Sequence, residues 1–167
     1  MRRHWLLAIG LALAAHAEAD EAALITGLAP DIRPDVVEEA VAAMKCAQTR
    51  GIGTDAERLA IIDYTIPSRE QRMWVIDMEA GRLLFEEHVA HGQGSGHDIP
   101  TAFSDIEGSR QTSLGLFLTD KTYQGGNGYS LKLHGLSKAF NESAMRRYTV
   151  IHGPSYATPA AAEKKAR

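Results

Sequence analysis

Gly125-Gly126-Asn127-Gly128-Tyr129-Ser130-Leu131-Lys132-Leu133-His134 decides the fold class of this chain. The first four residues make a turn, and the next six alternate. Tyr129, Leu131 and Leu133 are expected on one face, Ser130, Lys132 and His134 on the other, because successive side chains of a strand point to opposite sides. Upstream, Leu59–Ile66 opens a strand-rich stretch with Ile61-Ile62, and Pro67-Ser68 closes it. Met73–Asp77 and Arg82–Ala90 come next, with Met78-Glu79-Ala80-Gly81 between them as a hairpin connection. Leu114–Thr119 is a further short apolar run. Downstream, Asn141 is expected to cap a short helix through Arg147, and Tyr148–His152 reads as the last strand.

Ahead of the strands lies one helix. Pro34 suits a first helical position, and Val36, Val37, Ala40, Val41, Met44 and Ala47 recur at helical spacing. Gly51 and Gly53 end it. Asp20–Pro30 is Ala-rich, turn-terminated and expected to be loosely held. Thr158-Pro159 starts another helix, and no stop signal comes after Ala160–Arg167, which raises the expectation of a premature end. The pattern predicts an α+β domain with mainly antiparallel strands, an N-terminal helix and short C-terminal helices.

The first nineteen residues read as a secretory signal peptide. Met1-Arg2-Arg3-His4-Trp5 is a basic n-region, Leu6–Ala15 an apolar core, and Ala17-Glu18-Ala19 a cleavage site. The apolar core is ten residues long, against the roughly 20 needed to span a bilayer. Export with cleavage after Ala19, and a periplasmic location without stable membrane insertion, are therefore expected. The remaining boundaries are an N-terminal helical segment over 20–57 and a β-rich domain over 58–167, and the whole of 20–167 has the length of one domain able to fold alone.

Eighteen basic residues stand against 21 acidic ones, for a net charge of −3. A mildly acidic chain without a basic block gives no electrostatic case for nucleic acid. The one cysteine, Cys46, excludes an intramolecular disulfide. At helical spacing it lies with Asp35 and Glu39, away from the apolar stripe, and reads as an incidental helix cysteine.

His152 is the best candidate for chemistry. A β-branched run ending in His152-Gly153 puts an imidazole at a strand end beside a glycine turn, which suits a general base. His88, His91 and His97 match no zinc spacing, and on a strand residues three apart face opposite ways. Scattered surface and loop histidines, with no metal and no cofactor, are expected, although a metal-binding periplasmic protein using His88, His91, His97 or His134 is an alternative. Gly92, Gly94 and Gly96 lack the G-x-G-x-x-G spacing and the subsequent helix of a phosphate cradle. A tight loop that lets another chain approach is expected instead. No G-x-S-x-G context surrounds Ser104, Ser109 or Ser113, so a serine hydrolase is poorly supported.

Seven colinear segments carry a resemblance. They are Ile61-Ile62-Asp63-Tyr64, Trp74-Val75-Ile76-Asp77, Val89-Ala90-His91-Gly92-Gln93-Gly94-Ser95-Gly96, Ser113-Leu114-Gly115, Thr122-Tyr123-Gln124-Gly125, Gly128-Tyr129-Ser130-Leu131 and Val150-Ile151-His152-Gly153. Together, from Leu59 to Tyr156, they resemble the murein L,D-transpeptidase catalytic domains, a branch of the YkuD-like enzymes that remodel peptidoglycan. The resemblance implies a sandwich- or barrel-like β core and cysteine acyl transfer from a murein tetrapeptide to an amine. It places the family's activating histidine at His152, with Gly153 after it. It also implies substrate contacts from His91, Gly92, Gly94, Ser95, Gly96 and Tyr123, peptidoglycan stem peptides as partners, and a monomer. The resemblance places the family nucleophile in a Ser-x-Gly-Cys segment after the histidine, and no part of this sequence matches it. A transpeptidase domain truncated ahead of that segment, and therefore inactive, is expected, with a natural non-catalytic binder of murein peptides as the alternative.

Overall fold

The computed structural model describes residues 7–153, with backbone alone for 7–17. Two helices, α1 (Leu7–Leu28) and α2 (Pro34–Thr49), precede six strands. The strands are β1 (Arg58–Ile62), β2 (Gln71–Asp77), β3 (Arg82–His88), β4 (Phe117–Gly125), β5 (Gly128–Gly135) and β6 (Val150–His152). They form two three-stranded antiparallel sheets, ordered β1-β2-β3 and β4-β5-β6. The α+β expectation with mainly antiparallel strands holds. Among the described residues no helix is long and apolar enough to cross a membrane.

The chain divides into two compact units. One runs to Leu59 and includes Ile76–Leu84; the other comprises Ala60–Val75 and everything from Phe85 onward. In the first, α2 begins with Pro34 in its first turn and buries Val37 and Val41. Ile25, Ala29 and Ile32 are also buried, and Glu21 of α1 accepts from Lys45 Nζ of α2 at 2.5 Å. Asp20–Pro30 is therefore not loosely held: α1 continues to Leu28, and Ile25 at its end is fully buried. Cys46 is exposed, off the buried stripe, as expected.

In the second unit, several boundaries differ from those expected. β1 stops at Ile62 because Asp63 Oδ1 accepts from Thr65 N at 2.8 Å and Thr65 Oγ1 at 2.6 Å, turning the chain. β4 starts at Phe117 and runs on to Gly125. Ahead of it, Gly115 has φ +111, and the buried Asn141 Nδ2 donates to Leu116 O at 2.9 Å. Burial along β5 changes face. Leu133 is buried, but towards the tip Ser130 is buried and Tyr129 exposed.

Asn141–Arg147 is not a helix but a run of consecutive turns. Ala139 and Tyr148 adopt left-handed φ of 66° and 55° at its two ends. The Asn141 side chain also points back rather than forward: its Oδ1 accepts from Ser137 N at 2.8 Å, so it ties the ends of β4 and β5 instead of capping a helix. The helix expected from Thr158, like the n-region of the leader, lies outside the described residues.

Arg147 closes that run, five residues before His152. Its Nη1 donates to Ser104 O at 2.7 Å and to Ser113 Oγ, and its Nη2 to Gln111 O at 2.6 Å and Ser109 Oγ at 3.3 Å. Asp105 faces the same guanidinium at 3.5 Å and accepts from Ser143 N at 2.7 Å. Burial of Asp105 works against its ionisation. The Ser143 donors and Arg147 outweigh it, and hold the carboxyl below its ordinary value.

A depressed native pKa means that the unfolded state binds the proton more readily. Asp105 therefore stabilises the fold fully above the unfolded carboxyl pKa of about 3.9, and that contribution is lost as pH falls through the lower native value. Asp105→Asn should be less stable than wild type at pH 6 by urea denaturation. The gap should narrow as pH falls below about 4, the unfolded carboxyl value; a gap that does not narrow on acidification would contradict the assignment.

Candidate functional site

Two groupings of the expected site residues emerge, both within the second unit. The first surrounds the glycine loop. Arg72 keeps the period set by Trp74 and Ile76 along β2 and takes a core position, where it is fully buried. Its Nε and Nη2 donate to Val89 O at 2.9 and 2.5 Å, and its Nη1 to Ile66 O at 2.9 Å. Nη2 also lies 2.9 Å from His91 Nδ1. A guanidinium has no acceptor, so Nδ1 accepts and the His91 proton sits on Nε2. The guanidinium stacks 5.0 Å from the Tyr64 ring centroid.

Burial pulls the Arg72 pKa down, while Tyr64 and Asp63 push it back up. Asp63 is buried, and its Oδ2 has no hydrogen-bond partner among the described residues, which leaves it as countercharge to the guanidinium. Burial also raises the Tyr64 phenol, against the pull of Arg72 and of a hydrogen bond with Thr112.

The loop beyond His91 is packed against its own chain. Gly94 N donates to Arg110 O at 2.9 Å, and Gly92 N to Thr112 Oγ1 at 2.9 Å. A Cβ on Gly92 would land on the Arg110 carbonyl, and one on Gly94 would sit 2.5 Å from Ser109 O. The other chain that these glycines admit is therefore residues 109–112. Ser95 is fully buried, its Oγ accepting from Thr112 N at 2.8 Å and its carbonyl from Thr101 N and Ala102 N. Gly96 turns the chain at φ +136. Gln93 and Gly94 form the exposed rim.

The second grouping lies on the β4-β5-β6 sheet. β6 is an edge strand, and its register pairs Ser130 with His152 and Lys132 with Val150. On the other side of β5, Ser130 pairs with Tyr123. Cross-strand partners share a face, so Tyr123, Ser130 and His152 form one row with Lys132 beside it. The buried Ser130 hydroxyl donates to Gly128 O at 3.1 Å and is thereby occupied. Tyr123 and His152 are both half-buried, and Lys132 Nζ lies 5.4 Å from the Tyr123 ring centroid. Gly153 comes directly after the strand.

The structure thus brings Tyr123 together with His152, and gathers His91, Gly92, Gly94, Ser95 and Gly96 around Arg72 and residues 109–112. Sequence reasoning missed Ser130 and Lys132 at the histidine, and Arg72 and Arg147 behind the loops. Period-two spacing from Trp74 could have found Arg72. The others depend on register and on contacts distant in sequence. Among the described residues no three His, Cys, Asp or Glu side chains are placed to hold a metal ion.

The close packing of Gly92 generates a test. Gly92→Ala should lower stability by about 1–3 kcal/mol, the usual cost of overpacking, with a matching drop in denaturant midpoint. Gly126→Ala, which has nothing within 4 Å of the added Cβ, should change it little. A Gly92→Ala protein as stable as wild type would contradict the docking of the two loops.

Comparison with curated proteins and with solved structures gives no match. The family model of the L,D-transpeptidase catalytic domain does match, over residues 28–167, and so spans both groupings. By that match over most of its length, the chain belongs to the L,D-transpeptidase catalytic-domain family.

Proposed function

We propose that this domain carries the donor-binding face and the general base, His152, of a cysteine acyl-transfer site for peptidoglycan remodelling, with Gly153 freeing the turn behind it. The observation that carries the reading is a strand-borne imidazole on one row with Tyr123 and Ser130, in a chain of this family. In the family's reaction a thiolate adds to the diaminopimelate carbonyl of a tetrapeptide. The imidazole takes the thiol proton and returns it to the amine of the departing D-alanine. The thioester then passes its acyl group to an acceptor amine, whose surplus proton returns to the imidazole, and a 3→3 cross-link results. A base is needed because the thiolate, not the thiol, is the nucleophile. Preorganised backbone donors would stabilise the oxyanion.

The donor peptide lies, on this reading, along the row of Tyr123 and His152. The glycine loop with His91, Gly92, Gly94, Ser95 and Gly96 contributes through its exposed Gln93–Gly94 rim, its buried side chains holding that rim in shape. Export through the leader over 1–19, a periplasmic location, a monomeric state and a sandwich- or barrel-like core over 58–167 belong to the same proposal.

The only thiol in the sequence is Cys46, exposed on α2. We assign it no part in acyl transfer: it lies off the apolar stripe, and its backbone carbonyl accepts from Thr49 Oγ1 at 2.9 Å within the helix. These 167 residues then supply a base and a donor-binding face without a nucleophile, and bind stem peptides without turning them over.

Intact-mass analysis after incubation with a carbapenem, which acylates this family's cysteine, should show no adduct. Cys46→Ala should change stability by under about 0.5 kcal/mol and leave tetrapeptide affinity unchanged. Loss of one hydrogen-bonding group in His152→Ala should weaken tetrapeptide binding roughly three- to tenfold. A stoichiometric carbapenem adduct that disappears in Cys46→Ala would overturn the assignment of the thiol. Undiminished binding by His152→Ala would overturn that of the site.

A further inference from the structure

Lys132 is a side chain on the His152 face to which acyl transfer by a thiol and a base gives no role. It sits two residues from Ser130 on β5, opposite Val150 of β6. Strand alternation and register therefore put its stem on the face that carries Tyr123, Ser130 and His152. Relative to His152 it occupies the diagonal position of an antiparallel ladder, about 7–8 Å away and within reach of a long side chain.

Unlike the exposed Lys121 and Lys138, Lys132 is half-buried, partly withdrawn from solvent, and among the described residues its ammonium makes no ion pair. The other half-buried lysine of an ordered element, Lys45, is paired with Glu21. An acidic side chain does lie on the adjacent strand. The register of β4 slips between Thr119 and Thr122, leaving Asp120 and Lys121 outside the ladder opposite Lys132. Asp120 turns to His134 instead, at 3.3 Å. What supports the Lys132 ammonium is the face of the Tyr123 ring at 5.4 Å, an attraction that leaves its three N–H donors able to take an acceptor.

We propose that Lys132 recognises the free C-terminal carboxylate of the donor stem peptide, with the Tyr123 ring holding its ammonium in place. The proposal rests on the reading of the His152 face as the donor site. The chemistry of the donor favours it. The residue that leaves is the terminal one, so its carboxylate lies one residue beyond the scissile carbonyl, a Cα–Cα step of about 3.8 Å. With that carbonyl near His152, a cation one diagonal position away meets the terminal carboxylate. A peptide bond in the interior of a longer peptide offers no anion there. Lys132 thereby makes the site selective for terminal residues.

Calorimetric titration of the purified protein with two ligands separates the possibilities: a murein tetrapeptide with a free C-terminus, and the same peptide ending in a carboxamide. Wild type should bind the free acid about tenfold or more tightly than the carboxamide, the worth of a charge-assisted hydrogen bond. Lys132→Met should remove most of that preference, weakening the free acid far more than the carboxamide. Lys132→Arg should keep most of the preference. Equal binding of the two peptides by wild type, or a preference that largely survives in Lys132→Met, overturns the role of Lys132 while the donor-site reading stands. If wild type binds neither peptide, the donor-site reading fails and this inference falls with it. The comparison of two ligands on wild type requires no variant to fold.

Discussion

The guanidinium of Arg147 joins parts of the second unit that the sequence keeps far apart. It reaches two carbonyls and two hydroxyls of residues 104–113, with Asp105 as its anion. Residues 109–112 in turn receive the glycine loop at Gly92, Gly94 and Ser95. Arg147 itself stands just ahead of β6, which presents His152. One planar cation therefore ties the backing of the loop to the approach of the histidine strand. Arginine is suited to this because its five donors spread in a fixed fork, which a lysine's single nitrogen does not reproduce.

A fully buried arginine does comparable work at the other end of the loop. Arg72 satisfies the Val89 and Ile66 carbonyls and fixes the tautomer of His91. The cost of burying each cation is offset by a nearby carboxylate and by filling nearly every donor, the condition under which a buried charge is tolerated. With both ends held, the loop keeps its shape without large apolar side chains. That explains why the segment from His91 to Gly96 holds three glycines and a serine. The histidine row is built differently, by strand register alone. Ser130 is the small residue between Tyr123 and His152, and its hydroxyl is turned into the Gly128 carbonyl.

Periodicity made α2 legible, along with the 78–81 hairpin and β5, because each writes its pattern within a few consecutive residues. His152 was legible for the same reason, as an imidazole closing a β-branched run. The turns over 138–148 were not. Asn141 carries the composition of a helix cap, but its amide is claimed by Ser137 and Leu116, and Leu116 lies 25 residues away in sequence. The glycine loop was half legible. Its need for close approach could be read, but not that residues 109–112 of the same chain make that approach. Lys132 shows the same limit: only the pairing of β5 with β6 puts it diagonal to His152.

The central claim is that the Tyr123–Ser130–His152 row is where a murein stem peptide lies. Amide chemical-shift mapping during titration with the tetrapeptide tests it most directly. The account predicts saturable shifts concentrated at Tyr123, Ser130, Lys132 and His152, with smaller ones at Gln93 and Gly94. Shifts confined to α1 and α2, or none on β4, β5 and β6 at saturating peptide, would contradict it.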